Sequence, residues 1–126
     1  MMRTMLGLVM ISDALLFLFG AVQHAGVPLG RFHEPKILPA AIVECICGLL
    51  LLWGGIAIFG NLSGHWKIAV IGNFVALGGV VLGIAALALG AGPRTASNDL
   101  YHRIMLLLIG VSLLILFFAR SALERN

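Results

Sequence analysis

Apolar residues fill four long stretches of the chain, and polar residues gather in short joints between them. The stretches run from about Met5 to Gln23, Ile37 to Gly60, Ile68 to Gly90 and His102 to Ala119. None alternates apolar and polar positions as a half-buried strand does. Each is close to the ~20 residues that a helix needs to cross a hydrocarbon core. A stretch of this kind must satisfy its own backbone, because lipid offers the peptide groups no hydrogen bonds. The pattern predicts an all-α four-helix transmembrane bundle, a single integral membrane domain over residues 1–126.

The joints carry the local signals that separate these helices. Gly26, Pro28 and Gly30 end the first and open a loop through Lys36. Pro39 falls in the first turn of the second, where a missing N–H costs little. Asn61-Leu62-Ser63-Gly64 reads as a tight turn, and Trp66 and Lys67 as interface anchors for the third helix. Gly92 and Pro93 lie in the last loop, Asn98 or Asp99 is expected to cap the fourth helix, and Tyr101 to sit at headgroup level.

Composition narrows the class. The chain is 61% hydrophobic and only 10% charged, too few charges to cover a soluble surface. Its +3 formal charge comes from basic residues scattered at the ends of the apolar stretches, which places them against headgroups and gives no reason to expect nucleic acid as a partner. The first stretch lacks a small-residue cleavage site followed by a polar mature region, so it is expected to be retained as a span.

Four spans put both termini on the side of the Asn61–Lys67 turn. Basic residues are balanced, with Arg3, Lys67, Arg120 and Arg125 against Arg31, Lys36, Arg94 and Arg103. Charge therefore gives no orientation, and cytoplasmic termini in the cell membrane are expected only because that arrangement is common among small membrane proteins. Gly79 and Gly83 on the third span, and Ala41, Glu44, Gly48 and Gly55 on the second, form small-residue faces. Such faces let helices approach within the bundle, in a homo-oligomer or in a larger membrane complex. Cys45 and Cys47 point about 200° apart on a helix and form neither a disulfide nor a shared metal grip.

The residues that could carry chemistry collect at one membrane face. His24 ends the first span, His33 and Glu34 lie in the following loop, and Asp99 and His102 share a face at the start of the last span. Imidazole and carboxylate groups suit a transition metal, and paired histidines suit a haem. The same groups can instead solvate the loops and pair with nearby arginines and lysines. Asp13 and Glu44 lie deeper, where an ionised carboxylate costs a few kcal/mol and needs a proton, water or a partner. Asn73 or Ser12 could supply a hydrogen bond to either acid. Asp13 and His24 are eleven residues apart and so share a helix face, roughly 16 Å apart along the axis. With Glu44 they could mark a polar path to mid-membrane. His65 reads as an ordinary interfacial residue at the opposite face.

Leu15-Leu16-Phe17-Leu18-Phe19-Gly20-Ala21-Val22-Gln23-His24 and the stretch from Glu44 through Gly54 resemble the DoxX-like superfamily of small four-helix membrane proteins. The resemblance covers about half the chain. It implies a four-helix bundle associated with quinone-linked or sulfur redox systems, and carries over no catalytic residue. The family has a basic residue where this chain has His24.

The functional expectation is a redox-associated or ligand-binding membrane protein. Its pocket would hold His24, Glu44 and His102, supported by His33, Glu34, Asp99 and Asp13, and would bind a metal, haem or quinone. Whether it is an enzyme stays open. The alternatives are a transporter or channel lined by Asp13, Glu44 and Asn73, and a non-catalytic accessory subunit.

Overall fold

The computed structural model describes residues 2–31 and 34–121. Four helices follow one another: α1 Met2–His24, α2 Leu38–Phe59, α3 His65–Ala88 and α4 Ala96–Phe118. Each is long and apolar enough to cross a membrane, and the chain is a multi-pass membrane protein. Large side chains such as Leu15, Leu49, Ile71, Leu82, Leu107 and Leu114 are more than half exposed on the outer faces. In water these faces would be a liability; in a bilayer they are the solvated surface.

The inner faces follow a spacing that alternates between three and four residues. In α1 it runs through Leu6, Met10, Asp13, Phe17, Gly20 and His24, all buried. In α4 it runs through Asn98, His102, Met105, Ile109, Ser112 and Leu116, also buried. In α2 it holds Ala41, Glu44, Gly48, Leu51, Gly55 and Ile58, and in α3 Ala69, Asn73, Ala76 and Val80. This is the seam of a bundle whose helices cross at shallow angles. Polar residues occupy chosen positions in it rather than the periphery.

Small residues set the distances between the helices. A Cβ added at Gly55 would come within 3.1 Å of the Gly7 carbonyl oxygen, and one at Gly48 within 3.1 Å of the Ala14 oxygen, so α1 and α2 meet backbone to backbone. At Gly72 the added atom would lie 2.8 Å from the Leu50 oxygen, which does the same for α2 and α3. The expected small-residue faces thus serve contacts inside the bundle: Gly79 lies against Cys47 and Val43, and Gly83 against the His102 ring. Cys45 is exposed and Cys47 buried, as their opposed directions require.

The joints fix the up-and-down order. Glu34 accepts hydrogen bonds from Thr95 and Ser97, tying the first and last loops together at one end. At the other end Trp66 donates from Nε1 to the Leu116 oxygen at 3.1 Å, and the Arg120 guanidinium lies 4.3 Å from the centre of its ring. Gly26 (φ +88°) and Gly90 (φ +72°) turn the chain out of α1 and α3. The N–H groups just beyond reach back to Val22 and Ala86 carbonyls, which closes both helices.

Two helix boundaries differ from expectation. The fourth helix starts at Ala96, a turn and a half before His102, because Thr95 is the cap: its hydroxyl accepts from the Asn98 N–H at 3.1 Å. Asn98 and Asp99 are therefore inside the helix. The third helix begins at His65, directly after Gly64, and ends at Ala88.

The packing makes a directional prediction. Gly72→Ala should cost about 1–3 kcal/mol, because the methyl group meets α2 backbone. Gly78→Ala should be close to neutral, since nothing lies within 4 Å of an added Cβ there. Unfolding in detergent micelles measures both, and equal midpoints for the two variants would contradict the close α2–α3 contact.

Candidate functional site

The last turn of α1 and the second turn of α2 meet through two buried side chains. His24 donates from Nδ1 to Glu44 Oε2 at 2.8 Å, with the two residues 3% and 6% exposed. Glu44 thereby finds the partner that a carboxylate at this depth needs. The contact is framed by the chain itself: Ile37 N–H donates to the His24 carbonyl at 2.9 Å, which returns the loop to the end of α1. Gly20, one turn before His24, leaves the room. A Cβ there would sit 3.0 Å from Glu44 Oε1 and 2.8 Å from the Tyr101 hydroxyl, so these two groups face each other across a bare backbone.

His102 enters from α4. Its Nδ1–H donates to the Asn98 carbonyl at 2.8 Å, one turn back along the helix. In the neutral ring this leaves Nε2 as an acceptor, and Nε2 leans over Gly83 of α3. His24 and His102 line a common small cavity of about 70 Å³. That volume is room for a few water molecules. A larger cleft of about 360 Å³ lies alongside, between α2 and α3. Glu44 and His102 are the only ionisable groups among its described lining residues; Ile37, Val43, Leu82 and Ala86 supply apolar walls.

The other expected residues fall into separate groups. Glu34 is engaged by Thr95 Oγ1 at 2.8 Å and by Ser97, and acts as a clasp between loops. Asp99 accepts from Arg94 Nε at 2.8 and 3.1 Å on a surface that water reaches. His33 lies outside the described residues. Among the described residues, no three His, Cys, Asp or Glu side chains come together in a way that could hold a metal ion. His65 donates from Nδ1 to the Leu62 carbonyl at 2.8 Å in an exposed turn at the far end.

Asp13 belongs to a second polar layer near the middle of the bundle. Its partner is neither Asn73 nor Ser12: Ser112 Oγ donates to Asp13 Oδ2 at 3.1 Å from α4. Asn73 donates instead to the Ala69 carbonyl of its own helix at 2.9 Å, and its Oδ1 is buried. Phe17 on α1 and Met105 and Ile109 on α4, all at most 2% exposed, separate this layer from the histidines. A polar path through the bundle would have to pass these apolar side chains.

Gly20 leaves room on the face of Asp13 and His24, as its place between them predicts, and three further contributors, Gln23, Asn98 and Tyr101, lie outside the expected site residues. Gln23 is buried beside His24, Asn98 and Gly20 shape the site, and the Tyr101 hydroxyl points into the bundle instead of toward the headgroups. The signal for α4 lay in the spacing of Asn98, Tyr101, His102 and Met105, which puts all four on one side of a helix. Nothing local marks Gln23. Comparison of the chain with protein-family models, with curated proteins and with solved structures gives no match.

The arrangement can hold a proton in a buried hydrogen bond and present two imidazole nitrogens and a carboxylate beside an apolar cleft. Glu44→Leu should leave the His24 N–H without an acceptor and cost about 1–3 kcal/mol. Glu44→Gln should cost less, because its amide oxygen still accepts. Detergent unfolding of both variants tests the pair, and a Leu variant as stable as the wild type would show that the bond contributes nothing.

Proposed function

We propose that this membrane protein binds a small, largely apolar molecule bearing a carbonyl oxygen, of the quinone class, in the cleft beside Glu44 and His102. The Glu44 carboxyl, hydrogen-bonded to His24, meets the polar end of the ligand. One observation carries the reading: Glu44 is a buried carboxylate, held at 2.8 Å by His24, in a cleft that it shares with His102 between apolar walls. Such a cleft suits a small ligand whose few polar atoms meet a few fixed protein groups. His102 complements the ligand in both forms. Its Nε2 accepts from a hydroxyl when neutral and donates to a carbonyl when protonated.

The other two expected ligand classes have less support. A metal ion lacks a third converging ligand among the described residues. The cavity shared by His24 and His102, about 70 Å³, is too small for a haem macrocycle between them. The same proposal includes a place in the DoxX-like superfamily, a homo-oligomer or a larger membrane complex, and cytoplasmic termini in the cell membrane.

Titration of the purified protein in detergent with a short-chain benzoquinone tests the proposal by calorimetry. Saturable binding is expected, weakened about tenfold, or about 1.4 kcal/mol, by Glu44→Gln and by His102→Phe. Gly78→Ala should bind as the wild type does. Absence of saturable binding, or wild-type affinity in both Glu44→Gln and His102→Phe, would sink it. A stoichiometric transition metal in the purified protein would replace it with a metal site.

A further inference from the structure

A separate cavity of about 280 Å³ lies between α1 and α4 and shares no described lining residue with the cleft beside Glu44. Its walls change character with depth. Leu16, Leu100 and Ile104, 40%, 58% and 44% exposed, stand at the lipid side. Gln23, His24 and Tyr101 stand inside. Gln23 is only 3% exposed, yet neither its Oε1 nor its Nε2 has a hydrogen-bond partner among the described residues. His24 Nε2 is likewise buried without a hydrogen-bond partner among the described residues, and the Tyr101 hydroxyl, buried as well, lies toward the Glu44 carboxylate. Buried polar atoms are nearly always satisfied in folded proteins, and hydrocarbon cannot satisfy them. Three such atoms beside one cavity, with the tyrosine hydroxyl next to them, call for an occupant with hydrogen-bonding groups of its own.

The surrounding chemistry selects the class. Gln23 offers one donor group and one acceptor, and a tyrosine hydroxyl offers either. The matching head therefore both donates and accepts, as hydroxyl groups do. No Lys or Arg is among the described residues that line the cavity to hold an anion, and Glu34 at the rim and Glu44 across Gly20 oppose one. A cationic head finds little free acid, because Glu34 is engaged by Thr95 and Ser97 and Glu44 by His24. The apolar mouth between Leu16 and Ile104 suits a single hydrocarbon chain lying in the bilayer. We infer that this cavity is a second, lipid-facing site, which takes the neutral hydroxylated head of a single-chain amphiphile of the monoacylglycerol type.

A photoactivatable monoacylglycerol, added to the purified protein in detergent with phosphatidylcholine and mapped by mass spectrometry, tests this site. Labelling is expected on the end of α1 and on residues 97–105, displaced by unlabelled monoacylglycerol but not by phosphatidylcholine. Gln23→Leu should reduce it about tenfold, as should Tyr101→Phe, which removes a single oxygen atom and guards against a folding defect. Benzoquinone binding should persist in Gln23→Leu, which separates failure here from failure of the quinone reading. Four results would each overturn the inference: no saturable labelling, so that the polar atoms hold water only; labelling spread over all outer faces; labelling unchanged in both variants; or displacement by benzoquinone, which would make the two cavities one site.

Discussion

The hydrogen bond from His24 to Glu44 is the interaction on which the upper half of the bundle depends. A carboxylate two turns inside a lipid-spanning helix is tolerable only with a partner, and the partner is the last residue of the preceding helix. To bring them together, α1 and α2 must lie backbone to backbone, which Gly7, Gly48 and Gly55 permit. Gly20 must then leave the carboxylate its space. The loop has to return at Ile37 to meet the His24 carbonyl. Each of these features looks like ordinary membrane packing alone; together they support one buried polar contact.

That contact divides the interior unevenly. Above Phe17, Met105 and Ile109 the seam holds His24, Glu44, Asn98 and His102, with the Tyr101 hydroxyl reaching in beside them. Below them, among the described residues, the buried polar groups are Asp13, Ser112 and Asn73. The upper layer borders cavities on two sides of the bundle. The lower layer pairs across α1 and α4, and Asn73 donates to Ala69 within α3 while its Oδ1 stays buried without a partner among the described residues. The first arrangement suits the exchange of a ligand or proton with the surroundings, and the second holds helices in register.

Much of this was legible in the chain because lipid leaves a helix few choices. The four helices followed from stretch length, and the shared end of His24, Glu44 and His102 followed from topology. What spacing within one helix cannot give is how that helix is rotated against its neighbours. The partner of Asp13 is hidden for this reason: Ser112 lies 99 positions away and meets it only through the rotation of α4. The start of α4 was misplaced because Asn98 and Asp99 resemble capping residues while Thr95, three positions earlier, captures the Asn98 N–H first. Tyr101 resembled an interface anchor because aromatic rings favour that depth, and only the empty space at Gly20 shows why its hydroxyl turns inward.

The alternating three-and-four seam also acts as a frame for length. Inserting one residue before His24 would rotate it by about 100° and turn the imidazole from Glu44 toward lipid. The same insertion within α4 would swing Ser112 away from Asp13 while leaving every side chain in the sequence chemically intact. Seven residues would restore the phase to within about 20°, but would lengthen the helix by about 10 Å and unseat its loops. The outer faces can therefore exchange one apolar side chain for another freely, whereas the number of residues between polar seam positions is effectively fixed.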